Sequence, residues 1–238
     1  MVLSAQAHGK LLLFGEHAVV HGFPALGLPL PLRTRVWLSQ PGNSISDPNI
    51  PQSRAEHTQC VRTLVPYMGD AAQTLWQQAP WAAHIQSDVP MGRGLGSSAA
   101  LTGAVARAFA QGMPQRVSQR SIWQMAHAAE RKFHGQPSGV DTALALGSGL
   151  LAVTPVANSL PDLRVCTVSP FALVVGTLPR STNTQVLVNQ VQERVRSQGR
   201  ETLGILKRLG QLACLPSVLR DAGAALGERA NEPHSLLQ

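Results

Sequence analysis

A glycine-rich run places the strongest constraint on how this chain can fold. It reads Pro90-Met-Gly-Arg-Gly-Leu-Gly-Ser-Ser-Ala-Ala100 and opens an apolar, alanine-rich stretch that continues to Gly112. Glycines at three alternate positions let the backbone turn sharply and expose successive N–H groups, and the two serines then begin a predicted helix whose first N–H groups attract anions. The run therefore predicts a phosphate-binding loop. The alternative is an ordinary glycine-rich turn whose serines cap the helix.

Two acidic residues follow this loop in a second segment, Glu130-Arg-Lys-Phe-His-Gly-Gln-Pro-Ser-Gly-Val-Asp141. Glu130 lies near the end of a predicted helix, and Asp141 follows a proline–glycine turn. Two carboxylates on separate elements after a phosphate loop suit one cation ligand and one base, which is most of what phosphoryl transfer requires. The alternative is a solvent-facing glutamate and an N-capping aspartate.

A third segment carries charged residues at both ends of a short apolar strand. It reads Gly9-Lys-Leu-Leu-Leu-Phe-Gly-Glu-His-Ala-Val-Val-His-Gly22, so Lys10 precedes the apolar run and Glu16 and His17 follow it. Charged groups in such positions often face a site. The alternative is that the chain simply reaches water there.

Composition excludes several classes of protein. The chain has 238 residues, of which 44% are hydrophobic and 14% charged, so it can build a core and is not predicted to be disordered. The net charge of +7 is scattered, and aromatic residues make up only 4%, a pattern that does not favour a nucleic-acid partner and is compatible with an anionic substrate. Cys60, Cys166 and Cys214 are too far apart for a zinc motif or a disulfide framework. Without a signal peptide or an apolar run of membrane-spanning length, we expect a cytoplasmic protein with no membrane partner.

Periodicity and turn residues predict elements around these segments. The predicted helices cover residues 56–78, 97–112, 118–134 and 182–198, and the predicted strands cover residues 11–14, 33–39, 81–87, 150–154 and 171–177.

The three segments together resemble the GHMP kinase family. Its members share this order: a K-x5-E-H segment, a P-x-G-x-G-L-G-S-S-A-A loop, and then a late Glu and Asp. Within the family, Gly-Glu-His-Ala-Val-Val-His-Gly and Phe-His-Gly-x-Pro-Ser-Gly-Val-Asp are similar to the mevalonate kinases. The resemblance runs from Gly9 to about residue 200 and resumes weakly at 231–238. It implies an α+β fold in two parts: residues 1–160 like ribosomal protein S5 domain 2, and residues 161–238 as an incomplete ferredoxin-like domain.

The resemblance also implies roles for individual residues. Asp141 takes the proton from the substrate hydroxyl, Lys10 lies near that hydroxyl and the γ-phosphate, and Ser98 and Glu130 bind Mg²⁺. The residues that wrap the ATP phosphates are Pro90, Gly92, Gly94, Leu95, Gly96, Ser97, Ser98 and Ala99. Those on the substrate side are Glu16, His17, Arg180 and Thr182, with Arg180 suited to a carboxylate because its guanidinium presents a fork of donors.

The activity implied is transfer of the ATP γ-phosphoryl group to mevalonate, with ATP and Mg²⁺ as cofactors and with a homodimer compatible with the family. One feature departs from the family: a third, glycine-rich motif near the C-terminus has no counterpart, because the late glycines Gly210, Gly223 and Gly227 are isolated. Three alternatives therefore stay open. The chain is a truncated or degenerate member that binds without catalysis, its missing part is supplied by another chain, or it is a sister enzyme such as phosphomevalonate kinase, homoserine kinase or diphosphomevalonate decarboxylase.

Overall fold

The computed structural model describes most of the chain and divides it into two compact units. The first unit comprises residues 1–9, 30–91 and 95–146, and the second comprises residues 10–29, 92–94 and 147–238. The described residues are 1–40, 52–135, 137–157, 159–178, 184–214, 218–219 and 221–236.

Helices and strands both contribute extensively, which confirms the predicted α+β class. In the described residues the strands are β1 Val2–Phe14, β2 Ala25–Ser39, β3 Ala82–Ser87, β4 Leu150–Thr154, β5 Asp162–Val168 and β6 Val218–Leu219. The helices in the same ranges are α1 Ala55–Leu64, α2 Asp70–Gln77, α3 Ser97–Gly112, α4 Gln119–His134, α5 Val140–Leu146, α6 Thr184–Ser197, α7 Gly199–Leu212 and α8 Ala222–Leu236. None of the helices described is both long and apolar enough to cross a membrane.

The first unit is organised around α3. This helix packs against α4 and α5, and most of its residues are buried although it is built largely from alanine and glycine. Small residues allow close approach: a Cβ added at Gly103 would lie 3.0 Å from the Ala7 Cβ and 3.1 Å from Leu146 Cδ2. Phe109, fully buried on the same helix, supplies the bulk that fills the surrounding core.

One edge of β3 pairs antiparallel with residues 34–39 of β2. At the other edge, side chains of α1 accept hydrogen bonds from two backbone N–H groups of the strand. The backbone N–H of Ala83 donates to Thr58 Oγ1 at 2.9 Å, and the N–H of Ile85 donates to His57 Nδ1 at 3.0 Å. A strand edge left unpaired would be costly or prone to association, so these two contacts anchor α1 and close the edge.

We expect the stability of the protein to depend on pH, because two histidines of the first unit have lowered pKa values. Burial lowers the pKa of His57, with His84 and Arg54 adding to the effect and Glu56 opposing it, and burial is also the main reason that the pKa of His127 is lowered. As the pH falls through 6.5, the ordinary value, the unfolded chain binds protons before the folded chain does. We therefore expect the free energy of unfolding, measured by urea denaturation, to decrease between about pH 7.5 and about pH 5.5.

Replacement of the titrating group provides the control. His57→Asn keeps an acceptor that can reach the Ile85 N–H but does not titrate, so this variant should lose less stability over the same pH range. A pH dependence as steep as that of the parent protein would show that His57 does not contribute.

The second unit is a short sheet covered by α7. Residues 25–27 of β2 pair antiparallel with β4, with Ala25 opposite Val153. β4 pairs antiparallel with β5, and β5 pairs parallel with β6. The apolar face of α7 packs into the core of this unit, and Gly210 of that helix lies so close to Phe23 that an added Cβ would be 2.6 Å from the Phe23 Cβ.

The strand predicted for residues 171–177 is wrong. This segment has no regular secondary structure, and no strand in the described ranges pairs with it. Val174 is 98% exposed, and of the seven residues only Phe171 is partly buried, so the run is largely exposed although it is apolar. The division into domains at residue 160 stays a prediction.

Candidate active site

The glycine-rich loop has the backbone conformation that its sequence predicts. Gly92, Gly94 and Gly96 have φ values of +69°, +78° and +75°, in the left-handed region that side chains other than glycine rarely adopt. Gly96 is the N-cap of α3 and no side chain caps the helix. The alternative of serine N-caps is therefore wrong, and the first N–H groups of α3 have no capping side chain.

The hydroxyl of Ser98 instead contacts α4. Ser98 Oγ donates to Glu130 Oε1 at 2.6 Å, which joins the first turn of α3 to the last turns of α4. Glu130 is 1% exposed, so the alternative of a solvent-facing glutamate is wrong. A buried carboxylate requires hydrogen-bond donors, and here hydroxyl groups of α3 supply them.

Two further residues complete this cluster, and neither was predicted from the sequence to belong to the site. Thr102 Oγ1 donates to Glu130 Oε2 at 3.0 Å. His134 Nε2 lies 3.3 Å from Glu130 Oε1 and 3.2 Å from Ser98 Oγ. A signal for both was present, because Thr102 follows Ser98 by one helical turn and His134 follows Glu130 by one helical turn, which places each on the same face as its neighbour.

Asp141 lies in the first turn of α5 and is partly buried. Trp123 of α4 forms hydrogen bonds to this turn. Its Nε1 donates to Thr142 Oγ1 at 3.1 Å and to the Gly139 carbonyl oxygen at 3.3 Å. Gly139 has a φ of +82°, a value that permits the sharp entry into α5. The position of Asp141 is thus set by neighbouring contacts within the first unit.

Lys10 and the predicted substrate-side residues lie in the second unit or outside the described residues. Lys10, in β1, is only 9% exposed, so it does not simply mark where the chain reaches water. Glu16 is exposed and His17 is partly buried, in the turn after β1. Arg180 and Thr182 fall outside the described residues.

The cluster around Glu130 can hold a hard cation together with a phosphate ligand. Ser98 Oγ and Glu130 Oε1 are oxygen donors 2.6 Å apart at the end of a loop rich in N–H groups. Mg²⁺ prefers oxygen ligands and commonly takes only one or two from protein when phosphates supply others. Within the described residues, no group of three His, Cys, Asp or Glu side chains could hold a metal ion.

Comparison with known proteins identifies the family. Residues 58–149 match the family described as GHMP kinases N terminal domain, a range that includes the glycine-rich loop, Glu130 and Asp141. The mevalonate kinase of Pyrococcus abyssi is 30% identical over an alignment of 228 residues that covers 87% of this chain and 66% of the relative. The chain belongs to the GHMP kinase family. The mevalonate kinase of Methanothermobacter thermautotrophicus is likewise 30% identical, over 82% of this chain and 63% of the relative, so this GHMP kinase chain spans about two thirds of the length of these relatives.

Solved structures support the GHMP kinase fold. The crystal structure of L. major mevalonate kinase in complex with R-mevalonate aligns with a TM-score of 0.68 at 19% identity, over 98% of this chain and 74% of that one. The Methanococcus jannaschii mevalonate kinase aligns with a TM-score of 0.65 at 19% identity, over 100% and 78%. The Streptococcus pneumoniae phosphomevalonate kinase aligns with a TM-score of 0.62 at 15% identity, over 100% and 79%. These similarities establish the fold.

Proposed function

We propose that this chain transfers the γ-phosphoryl group of ATP to the primary hydroxyl of mevalonate and so makes 5-phosphomevalonate, an isoprenoid precursor. The proposal rests mainly on the hydrogen bond of 2.6 Å between Ser98 Oγ and Glu130 Oε1, which lies next to the glycine-rich loop. Mevalonate kinases recur among the relatives, with about 30% identity over most of the chain, and they supply the substrate in the proposal.

The glycine-rich loop and the start of α3 would bind the ATP phosphates. The backbone N–H groups at a helix N-terminus are directed outward and carry partial positive charge, which suits phosphate oxygens. In the proposed complex Ser98 and Glu130 would hold Mg²⁺, which would neutralise part of the charge on the transferred group. Glu130 keeps its geometry because the protein surrounds it with hydroxyl donors.

Asp141 would accept the proton of the mevalonate hydroxyl, or orient that hydroxyl, while Lys10 would stabilise the charge on the transferred phosphoryl group. On the substrate side the proposal assigns Glu16 and His17, together with Arg180 and Thr182 for the mevalonate carboxylate. A cytoplasmic location, a homodimer and the domain division at residue 160 belong to the same proposal.

Phosphomevalonate kinase is the second candidate function, because a member of that class aligns with this chain at a TM-score of 0.62. It would require the site to accept a substrate that already carries a phosphate. A family member that binds ATP without transferring phosphate is the third candidate.

A substrate panel separates these functions. ADP release from the purified chain would be measured with ATP and Mg²⁺ in four parallel reactions, which contain mevalonate, phosphomevalonate, homoserine or no acceptor. The proposal predicts turnover with mevalonate well above the other three. Faster turnover with phosphomevalonate would assign the sister activity, and ATP binding without turnover in any reaction would assign a non-catalytic role.

A further inference from the structure

The two oxygens of the Glu130 carboxylate have different surroundings. Oε2 accepts a hydrogen bond of 3.0 Å from Thr102 Oγ1, and Thr102 is fully buried. Oε1 lies beside the hydroxyl of Ser98, a partly exposed residue, and beside His134, whose side chain is 37% exposed. Among the described contacts of the carboxylate, those of Oε1 are with partly exposed residues, which solvent or a ligand can reach, and that of Oε2 is with a buried one.

The Thr102 hydroxyl has one proton and two acceptors within reach. The carbonyl oxygen of Ala99 lies at 3.3 Å, and Glu130 Oε2 lies at 3.0 Å. The distance to Glu130 Oε2 is the shorter of the two and lies within the usual range for a hydrogen bond, so the proton is directed to Glu130. The Ala99 contact is then a secondary one that helps to hold the hydroxyl in this rotamer.

We propose that Thr102 is a positioning residue for the cation site, an inference that rests on the proposed function. The terminal torsion of a glutamate is soft, so an unrestrained carboxylate would rotate between many orientations. By holding Oε2 inside the protein, Thr102 presents Oε1 to a cation next to Ser98 Oγ. Partners of this kind, which orient a ligand without touching the metal, commonly change metal affinity by about 10- to 100-fold when removed.

The test compares how much Mg²⁺ strengthens ATP binding in several variants. Calorimetric titration with ATP, first with Mg²⁺ and then with EDTA, gives this gain in affinity without using catalysis. Thr102→Val removes the hydroxyl at nearly constant volume, and we expect it to reduce the gain by about 10-fold while ATP affinity in EDTA is unchanged. Thr102→Ser keeps the hydroxyl, and its gain should match that of the parent protein.

Two further variants separate the role of Thr102 from the existence of the cation site. Ser98→Ala removes a proposed ligand and should also reduce the gain. Thr102→Cys replaces the hydroxyl with a weak thiol donor, so it should give a reduced gain even if Thr102→Val does not fold. A parental gain in the Thr102→Val and Thr102→Cys variants, together with a reduced gain in Ser98→Ala, would overturn the role of Thr102 and leave the cation site intact. If the parent protein shows no gain, the cation site itself, and with it the proposed function, is wrong.

Discussion

Asp141→Asn is expected to lower turnover with mevalonate by about 10²- to 10⁴-fold, the usual contribution of a positioned general base. The amide has the same shape as the carboxylate but cannot accept the substrate proton or carry negative charge. The affinity for ATP should change little, because the proposed phosphate-binding loop and cation ligands are untouched. Steady-state ADP release gives the turnover number, and calorimetry gives the ATP affinity.

Asp162→Asn is a matched control, since Asp162 is an exposed aspartate at the start of β5 and has no assigned role. It should turn over mevalonate at the parental rate. Parental turnover in Asp141→Asn as well would remove Asp141 from the mechanism, and a large loss of ATP affinity would indicate that Asp141 acts through nucleotide binding instead.

Gly15→Ala is expected to destabilise the second unit strongly, with a loss of more than about 3 kcal/mol in the free energy of unfolding. Gly15 has a φ of +86°, and a Cβ there would lie 2.4 Å from the Pro24 carbonyl oxygen and 2.8 Å from the Ala25 Cα. Both atoms belong to the backbone, so the clash cannot be relieved by a rotamer change. Urea denaturation of the parent protein and the variant measures the effect.

Gly22 provides the matched control because it has nearly the same backbone conformation. Its φ is +87°, but nothing lies within 4 Å of the added Cβ. Gly22→Ala therefore carries only the left-handed backbone cost, about 1–2 kcal/mol. The difference between the two variants isolates the steric contact at Gly15, and equal losses would show that the close approach of residues 24 and 25 is not as tight as described.

The sequence was sufficient for two helices of the first unit, whose boundaries are decided by short-range chemistry, but the single helix predicted at residues 56–78 is wrong, because the structure divides it into α1 and α2. The helix predicted at residues 97–112 coincides with α3, because glycines end the preceding loop and alanines favour the helix that follows. The helix predicted at 118–134 matches α4, whose N-cap Ser118 accepts a hydrogen bond from the Ser121 N–H. In both cases the boundary depends on residues that are neighbours in sequence.

Long-range packing explains what the sequence did not reveal. Thr102 and His134 join the site only because α3 packs against α4, and nothing in either helix alone specifies its partner. The strand predicted at residues 171–177 was wrong for a related reason. The segment has the apolar composition of a buried strand, but a strand is stabilised by cross-strand neighbours. Among the described residues no strand pairs with this segment. Apolar composition indicates that burial of a segment is favourable, but it does not indicate which part of the protein would cover that segment.

Direct detection of the product tests the central claim, which is that this chain transfers phosphate from ATP to mevalonate. The chain would be incubated with ATP, Mg²⁺ and mevalonate, and the reaction followed by ³¹P NMR, with Asp141→Asn in parallel. The proposal predicts a new phosphomonoester resonance that grows as the γ-phosphate resonance of ATP declines, and that is nearly absent with the variant. Loss of the γ-phosphate to inorganic phosphate alone, or no change in a protein that binds ATP, would contradict it.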